Sequence, residues 1–138
     1  MSAHNNKNTA IAGCGFHHLA IKVIDFDVSQ TFYKDVLGFV PFRAWGDKGS
    51  RAVMLDTGDG SYVELFEGGP QEAKDTRLVH FALRADNCDA AIDRARKAGM
   101  TVTVEPKNVD IPANPVFPVR IGFFLGPNGE TIEFFQTR

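Results

Sequence analysis

Residues 18–38, HLAIKVIDFDVSQTFYKDVLG, and residues 80–99, HFALRADNCDAAIDRARKAG, decide the fold when one is written above the other. Both open on His-x-Ala-aliphatic-basic, and both close on a glycine, Gly38 and Gly99. A second pair matches without gaps. DGSYVELFE at 59–67 aligns with NGETIEFFQ at 128–136, so Gly60 answers Gly129, Glu64 answers Glu133 and Phe66 answers Phe135. Duplication of this kind marks two copies of one supersecondary unit that bury a shared core.

Each copy has a readable order of elements. Residues 16–24 and 77–85 alternate small or polar with aliphatic side chains, the period of a half-buried strand. A helix follows each. Asp25 or Asp27 can cap a helix whose apolar residues Val28, Phe32, Val36 and Leu37 recur at helical spacing and which ends at Gly38. Asn87 can cap a second, with Ala90, Ala91, Ile92, Ala95 and Ala98, ending at Gly99. Strands at 39–45, 51–57 and 61–67 complete the first copy, the last two joined by Gly58-Asp59-Gly60. Strands at 101–105, 118–126 and 130–136 complete the second, the last two joined by Pro127-Asn128-Gly129. Pro106 to Pro118 carries four prolines and is expected to be a loop, a candidate lid. The predicted class is α+β: a flexible tail over 1–15, a β-α-β-β-β module over 16–69 and another over 77–138.

Composition narrows the function. With 138 residues, 43% hydrophobic and 12 Phe, the chain can build one core. Its net charge of -2 and lack of a long basic run leave no electrostatic footprint for nucleic acid. Cys14 and Cys88 are far apart and outside any C-x-x-C spacing, which fits a reducing cytoplasm better than a disulfide framework. The first fourteen residues lack the apolar stretch of a signal peptide. No apolar run approaches the ~18 residues of a membrane span.

Strand alternation then sorts side chains onto faces. His18, Ala20 and Lys22 oppose Leu19, Ile21 and Val23; His80, Ala82 and Arg84 oppose Phe81 and Leu83. Tyr62, Glu64 and Phe66 oppose Val63 and Leu65; Thr131, Glu133 and Phe135 oppose Ile132 and Phe134. If the aliphatic faces take the helices, two imidazoles and two carboxylates line the other surface among aromatics. A carboxylate there is costly unless neutralised. Two neutral imidazoles and two carboxylates balance the charge of one divalent cation and leave positions open for water or substrate. The set suits Zn²⁺, Ni²⁺, Co²⁺, Fe²⁺ or Mn²⁺, not a closed structural zinc site built on thiolates.

One His or Glu on a strand is more often structural than ligating; joint placement at repeat-equivalent positions carries this reading. His17 alternates onto the helix-packed face or the strand edge and reads as structural or solvated. Lys22 and Arg84 read equally as surface charges or as inward cations for an anionic substrate. Tyr62, Phe66, Phe124 and Phe135 read as pocket wall or core.

The segments FHHLAIKVIDFDVSQTFYKDVLGF, SYVELFE, LVHFALRADN and LGPNGETIEFFQ resemble the vicinal oxygen chelate superfamily, and the pattern spans nearly everything from Phe16 to Gln136. That superfamily includes glyoxalase I, bleomycin- and fosfomycin-resistance proteins, methylmalonyl-CoA epimerase and extradiol dioxygenases. The resemblance implies paired modules forming an open curved sheet around one divalent metal ion per site, generally in a homodimer. It puts the metal positions on His18, Glu64, His80 and Glu133, a set like that of bacterial glyoxalase I; epimerases commonly place Gln where Glu64 stands. It further implies a lyase or isomerase that converts the hemithioacetal of a 2-oxoaldehyde and a thiol, glutathione in glyoxalase I, through an enediolate, with Glu133 as preferred base and Glu64 as its counterpart. The substrate-binding residues it implies are Lys22, where glyoxalase I carries Arg, and Arg43, with Arg84, Tyr62 and Phe124 beside them. The alternatives are an acyl-thioester epimerase using the same carboxylates and a metal-free protein that sequesters a drug or metabolite on the aromatic face.

Overall fold

The computed structural model describes residues 7–36, 38–69, 78–126 and 131–138. Its strands are β1 (Phe16–Lys22), β2 (Val40–Trp45), β3 (Ala52–Asp56), β4 (Tyr62–Phe66), β5 (Leu78–Arg84), β6 (Thr101–Ile111), β7 (Phe117–Leu125) and β8 (Thr131–Thr137). Helix α1 (Phe26–Thr31) runs into a π-helical turn, Phe32–Val36, and α2 spans Cys88–Lys97. The strands form one eight-stranded sheet in the order β2-β3-β4-β1-β5-β8-β7-β6. β1 pairs with β4 in parallel and β5 pairs with β8 in parallel, while β1 and β5 meet antiparallel at the middle. The two halves are therefore joined edge to edge across β1 and β5, each with its helix following its first strand. The predicted Pro127-Asn128-Gly129 turn and Leu37 lie outside the described residues.

Local chemistry sets the helix starts. The Asp25 carboxylate, not Asp27, accepts the Val28 amide at 3.0 Å, and Asn87 Oδ1 accepts that of Ala90 at 3.0 Å. Gly99, at φ +88°, lets the chain leave α2 in a left-handed turn. α2 buries Cys88, Ala91, Ile92 and Ala95 against Phe124 and Phe134. The first helix departs from expectation: Val28, Phe32 and Val36 stay exposed, and Phe26 enters the core with Val53, Leu55 and Leu65. Six α-helical residues before the π turn are too few to hold one apolar stripe against the sheet.

Two further expectations are corrected. Pro106 to Ile111 is strand rather than loop, because β6 continues through it to Ile111. β6 is an edge strand, and its register with β7 slips between Val104 and Lys107, so the missing Pro106 amide interrupts no regular ladder. The expected tail is also not free over its last residues: Gly15 O accepts the Arg84 amide at 2.7 Å, Ala12 O accepts that of Asp86 at 2.9 Å, and Ile11 packs on the α2 core.

The sheet centre carries a pair of related irregularities. Between β1 and β5 the register steps from Phe16↔Leu83 to His18↔Ala82, leaving His17 as an extra residue. It steps again from Ala20↔His80 to Ile21↔Leu78, leaving Val79 extra. Each bulge thus precedes a histidine, and a bulge resets which face the neighbouring side chains take.

Candidate metal centre and cavity

Four side chains meet on the concave face between the halves. His18 comes from β1, Glu64 from β4, His80 from β5 and Glu133 from β8. The register explains the convergence: Ala20 is paired to Glu64 on one side and His80 on the other, while Ala82 is paired to His18 and Glu133. Both alanines are fully buried, and their small side chains leave the space into which the four larger ones lean.

The donor atoms crowd a common centre. His18 Nε2 lies 2.9 Å from His80 Nε2, and Glu133 Oε1 lies 3.1 Å from the first and 3.0 Å from the second. Glu64 Oε1 lies 3.6 Å from His18 Nε2 and 3.9 Å from His80 Nε2. One ligand atom from each of His18, Glu64 and His80 falls within 4.8 Å of the others. His18, Glu64 and Glu133 are buried. Burial pushes the Glu64 carboxyl up to about 8, with His80 opposing and Glu133 adding to the rise. Burial also works against the charged form of Glu133, but His18 and His80 outweigh it and hold that carboxyl below its usual range.

These residues fit a divalent ion. Glu133 Oε1 is buried and makes no hydrogen bond of acceptable geometry, although two imidazole nitrogens stand close by. An orphaned buried carboxylate oxygen is costly. Two imidazoles and two carboxylates are a donor set that a borderline divalent cation satisfies.

Above the cluster opens a cavity of about 280 Å³. Trp45, Phe66, Ile111, Ile121, Phe123 and Phe135 form most of its wall, and among the described residues its ionisable lining groups are the four cluster residues. A larger depression of about 540 Å³ lies outside α2, bounded by Ala90, Asp93, Arg94 and Lys97, and contains no comparable donor set.

The five side chains expected to hold substrate do not line this cavity. Lys22 and Arg84 end exposed, and Arg84 donates to Gly60 O at 3.4 Å. The Arg43 guanidinium lies over the Phe42 ring at 4.3 Å and donates to Phe42 O at 2.9 Å. Tyr62 stacks on Phe42 at 4.9 Å. Phe124 belongs to the α2 core, stacked on Phe134; its neighbour Phe123, paired to Glu133, enters the cavity instead. Adjacent phenylalanines read alike in sequence, and only the pairing with β8 tells which one faces inward.

Sequence reading also misplaced His17. It is neither solvated nor packed under a helix: its ring stacks on Phe135 at 4.1 Å, lies 5.1 Å from Tyr62, and its Nδ1 is 2.8 Å from His18 Nδ1. Burial, followed by the His18 charge, lowers its pKa to about 3, so it is neutral at ordinary pH. The bulge places it on the concave side. The doubled His was the available signal, but alternation argued the other way.

Paired β-α-β-β-β halves with a His/Glu/His/Glu cluster at their seam define a fold of the vicinal oxygen chelate type. Residues 15–134 match the Glyoxalase/Bleomycin resistance protein/Dioxygenase superfamily, and the chain belongs to it. It is 33% identical over 130 residues to the uncharacterized Escherichia coli protein YaeR, covering 87% of this chain and 94% of that one. With the uncharacterized Bacillus subtilis protein YwkD it shares 29% over 127 residues, with the same coverages. Among solved structures it resembles methylmalonyl-CoA epimerase from Mycobacterium tuberculosis, with TM-score 0.74 and 23% identity over 98% of this chain and 94% of the other. It also resembles a Streptomyces coelicolor methylmalonyl-CoA epimerase variant in complex with 2-nitronate-propionyl-CoA, with TM-score 0.66 and 26% identity over 88% and 96% of the chains.

Proposed function

We propose that the protein is a metal-dependent isomerase that moves a proton on a carbon next to a carbonyl. The observation that carries this is the buried meeting of His18, Glu64, His80 and Glu133 at the floor of an apolar cavity. A divalent ion held by these four residues, Zn²⁺, Ni²⁺, Co²⁺, Fe²⁺ or Mn²⁺, supplies Lewis acidity toward the charge that develops on the substrate's oxygens. Glu133, the more loosely held of the two carboxylates once substrate is bound, accepts the carbon-bound proton and returns it; Glu64, opposite, is the second carboxylate able to do so. The aromatic wall excludes water and orients the substrate. In a glyoxalase-type substrate the proton leaves C1 and arrives at C2, so C1 is oxidised and C2 reduced within one molecule and no external electron acceptor is needed.

The His/Glu/His/Glu set favours a hemithioacetal isomerised to a 2-hydroxyacyl thioester. A second reading, epimerisation of an acyl thioester, draws on the 26% identity to the Streptomyces coelicolor epimerase. In both, the absence of any Lys or Arg from the described cavity wall favours a compact, uncharged reacting end. Glutathione's carboxylates, if glutathione is the thiol, must be answered outside that wall. Cys14 and Cys88 are free thiols, as a cytoplasmic setting requires, and no helix among the described residues is long and apolar enough to cross a membrane. A homodimer belongs to the same reading.

The test is deuterium exchange from D₂O into the α-position of hemithioacetals and acyl thioesters, with protein loaded with Ni²⁺ or Zn²⁺. Glu133→Gln is expected to slow exchange by about 10²–10⁴-fold. Protein that retains its metal yet neither exchanges that proton nor forms a 2-hydroxyacyl thioester from the hemithioacetals defeats the proposal. Protein that takes up no stoichiometric metal points to a binding role on the aromatic face.

A further inference from the structure

The two bulges at the centre of the sheet are equivalent in position but not in chemistry. One puts His17 before His18 and the other puts Val79 before His80. Val79 is 37% exposed, whereas His17 is 4% exposed. The His17 ring is held flat against Phe135, at an interplanar angle of 29°, with its Nδ1 directed at His18 Nδ1.

A contact of 2.8 Å between two imidazole nitrogens requires that one carry the proton and the other accept it. The two choices have opposite results at the far side of His18. If His17 donates, His18 takes its own proton on Nε2, which cannot then ligate a metal. If His18 donates, its Nε2 carries a bare lone pair facing His80 and Glu133. The 2.9 Å contact between His18 Nε2 and His80 Nε2 is satisfied in either arrangement, His18 donating in the first and His80 in the second; what separates the two is ligation, because only the second leaves the His18 Nε2 lone pair free to hold a metal.

We propose that His17 is a positioning residue whose Nδ1 accepts the Nδ1–H of His18, selecting the tautomer that turns His18 Nε2 toward the metal centre. Metal-ligating histidines commonly have the other ring nitrogen held by a hydrogen-bond acceptor that orients the ring and raises its basicity. Here the acceptor is a second imidazole supplied by a β-bulge, and only one half of the molecule has it. The inference rests on the metal-binding reading above, but its hydrogen bond is between two residues of this chain and is testable in metal-free protein.

Long-range ¹H–¹⁵N correlation spectra of metal-free, ¹⁵N-histidine-labelled protein at one fixed pH read the tautomers directly. The expected result is His18 protonated on Nδ1 and bare on Nε2; protonation on Nε2 overturns the proposal. Titration calorimetry with Zn²⁺ and Co²⁺ gives a second readout. His17→Phe, which keeps the stack on Phe135 and removes the acceptor, is expected to weaken binding by about 10–100-fold. His17→Asn, whose side-chain carbonyl can accept from Nδ1–H, is expected to recover much of it. Equal affinity in wild type and His17→Phe overturns the proposal, as does loss in both variants when circular dichroism shows both folded. If His17→Phe does not fold, the wild-type spectrum decides. If wild type binds neither metal, the functional reading fails while the spectrum still decides the hydrogen bond.

Discussion

The two halves of the sheet share a plan and differ in how they are braced. In both, a strand carries His-x-Ala, and its parallel partner carries Glu and Phe two residues apart, all on the concave face. Outside these positions the halves diverge. α2 is a ten-residue helix that buries four side chains under its half of the sheet, whereas α1 lasts six residues and breaks into a π turn with its apolar side exposed. The positions equivalent to Glu67 and Gln136 diverge as well. Gln136 Oε1 accepts the first amide of α2, that of Cys88, at 2.8 Å. Glu67 turns outward and gathers the amides of Gly49 and Arg51 together with the Arg51 guanidinium. In the cluster four groups reach one point, whereas the brackets around it hold the strands in register.

The contrast between helices is the easiest to break. Ile92 is fully buried and presses on Gly122, where an added Cβ would come within 2.6 Å of it. Ile92→Ala is expected to cost about 2–5 kcal/mol in denaturant unfolding. Val28, at 65% exposure, belongs to the exposed apolar stripe of α1, and Val28→Ala should change stability by no more than about 0.5 kcal/mol. Equal losses would mean that the α1 stripe is covered in solution, as a homodimer would cover it, and sedimentation would then show a dimer.

The shared plan has a sharper test. Ala20 and Ala82 sit between the His and Glu side chains in equivalent places, so Ala20→Leu and Ala82→Leu should each cost about 1–3 kcal/mol by overpacking and displace the neighbouring donors. Both variants should show reduced metal stoichiometry. If one half accepts leucine with full metal binding, the halves are not equivalent at the site.

The smallest effect concerns acid. The Arg51 side chain, then its amide, holds the Glu67 carboxyl down at about 2, while Gln136 cannot titrate. A depressed folded pKa stabilises above the ordinary carboxylate range and is lost on protonation. Glu67 should therefore contribute fully above about pH 4.5 and lose its contribution as pH falls toward about 2. Glu67→Gln should flatten that part of the stability profile and leave neutral-pH metal binding unchanged; an acid limb identical to wild type would show that Glu67 does not provide it.

Much of this arrangement is legible in the sequence. The repeat places His18 with His80 and Glu64 with Glu133, strand alternation puts them on the face away from the aliphatic residues, and Asn87 announces its helix through ordinary capping chemistry. These are local rules, with periods of two or 3.6 residues, and they need no knowledge of the neighbouring strand. The misread residues all depend on that neighbour. Pro106 reads as loop until β6 is known to be an edge strand, Phe123 and Phe124 are interchangeable until one is paired to Glu133, and Val28, Phe32 and Val36 share a helical stripe whose period does not say whether the sheet lies against it.

His17 makes the same division most clearly. From sequence it is one residue from a ligand candidate and, by alternation, on the wrong face. A bulge is a relation between two strands, one extra residue against a partner that lacks it, and no single-strand pattern contains that information. The sequence by itself determined the duplicated pattern and which residue types stand at the four central positions, because both are read along the chain without reference to strand pairing. Only the tertiary structure decided that these four side chains converge within one chain, that the cations lie off the cavity wall, and that His17 stands behind His18, because each depends on pairing between strands distant in sequence.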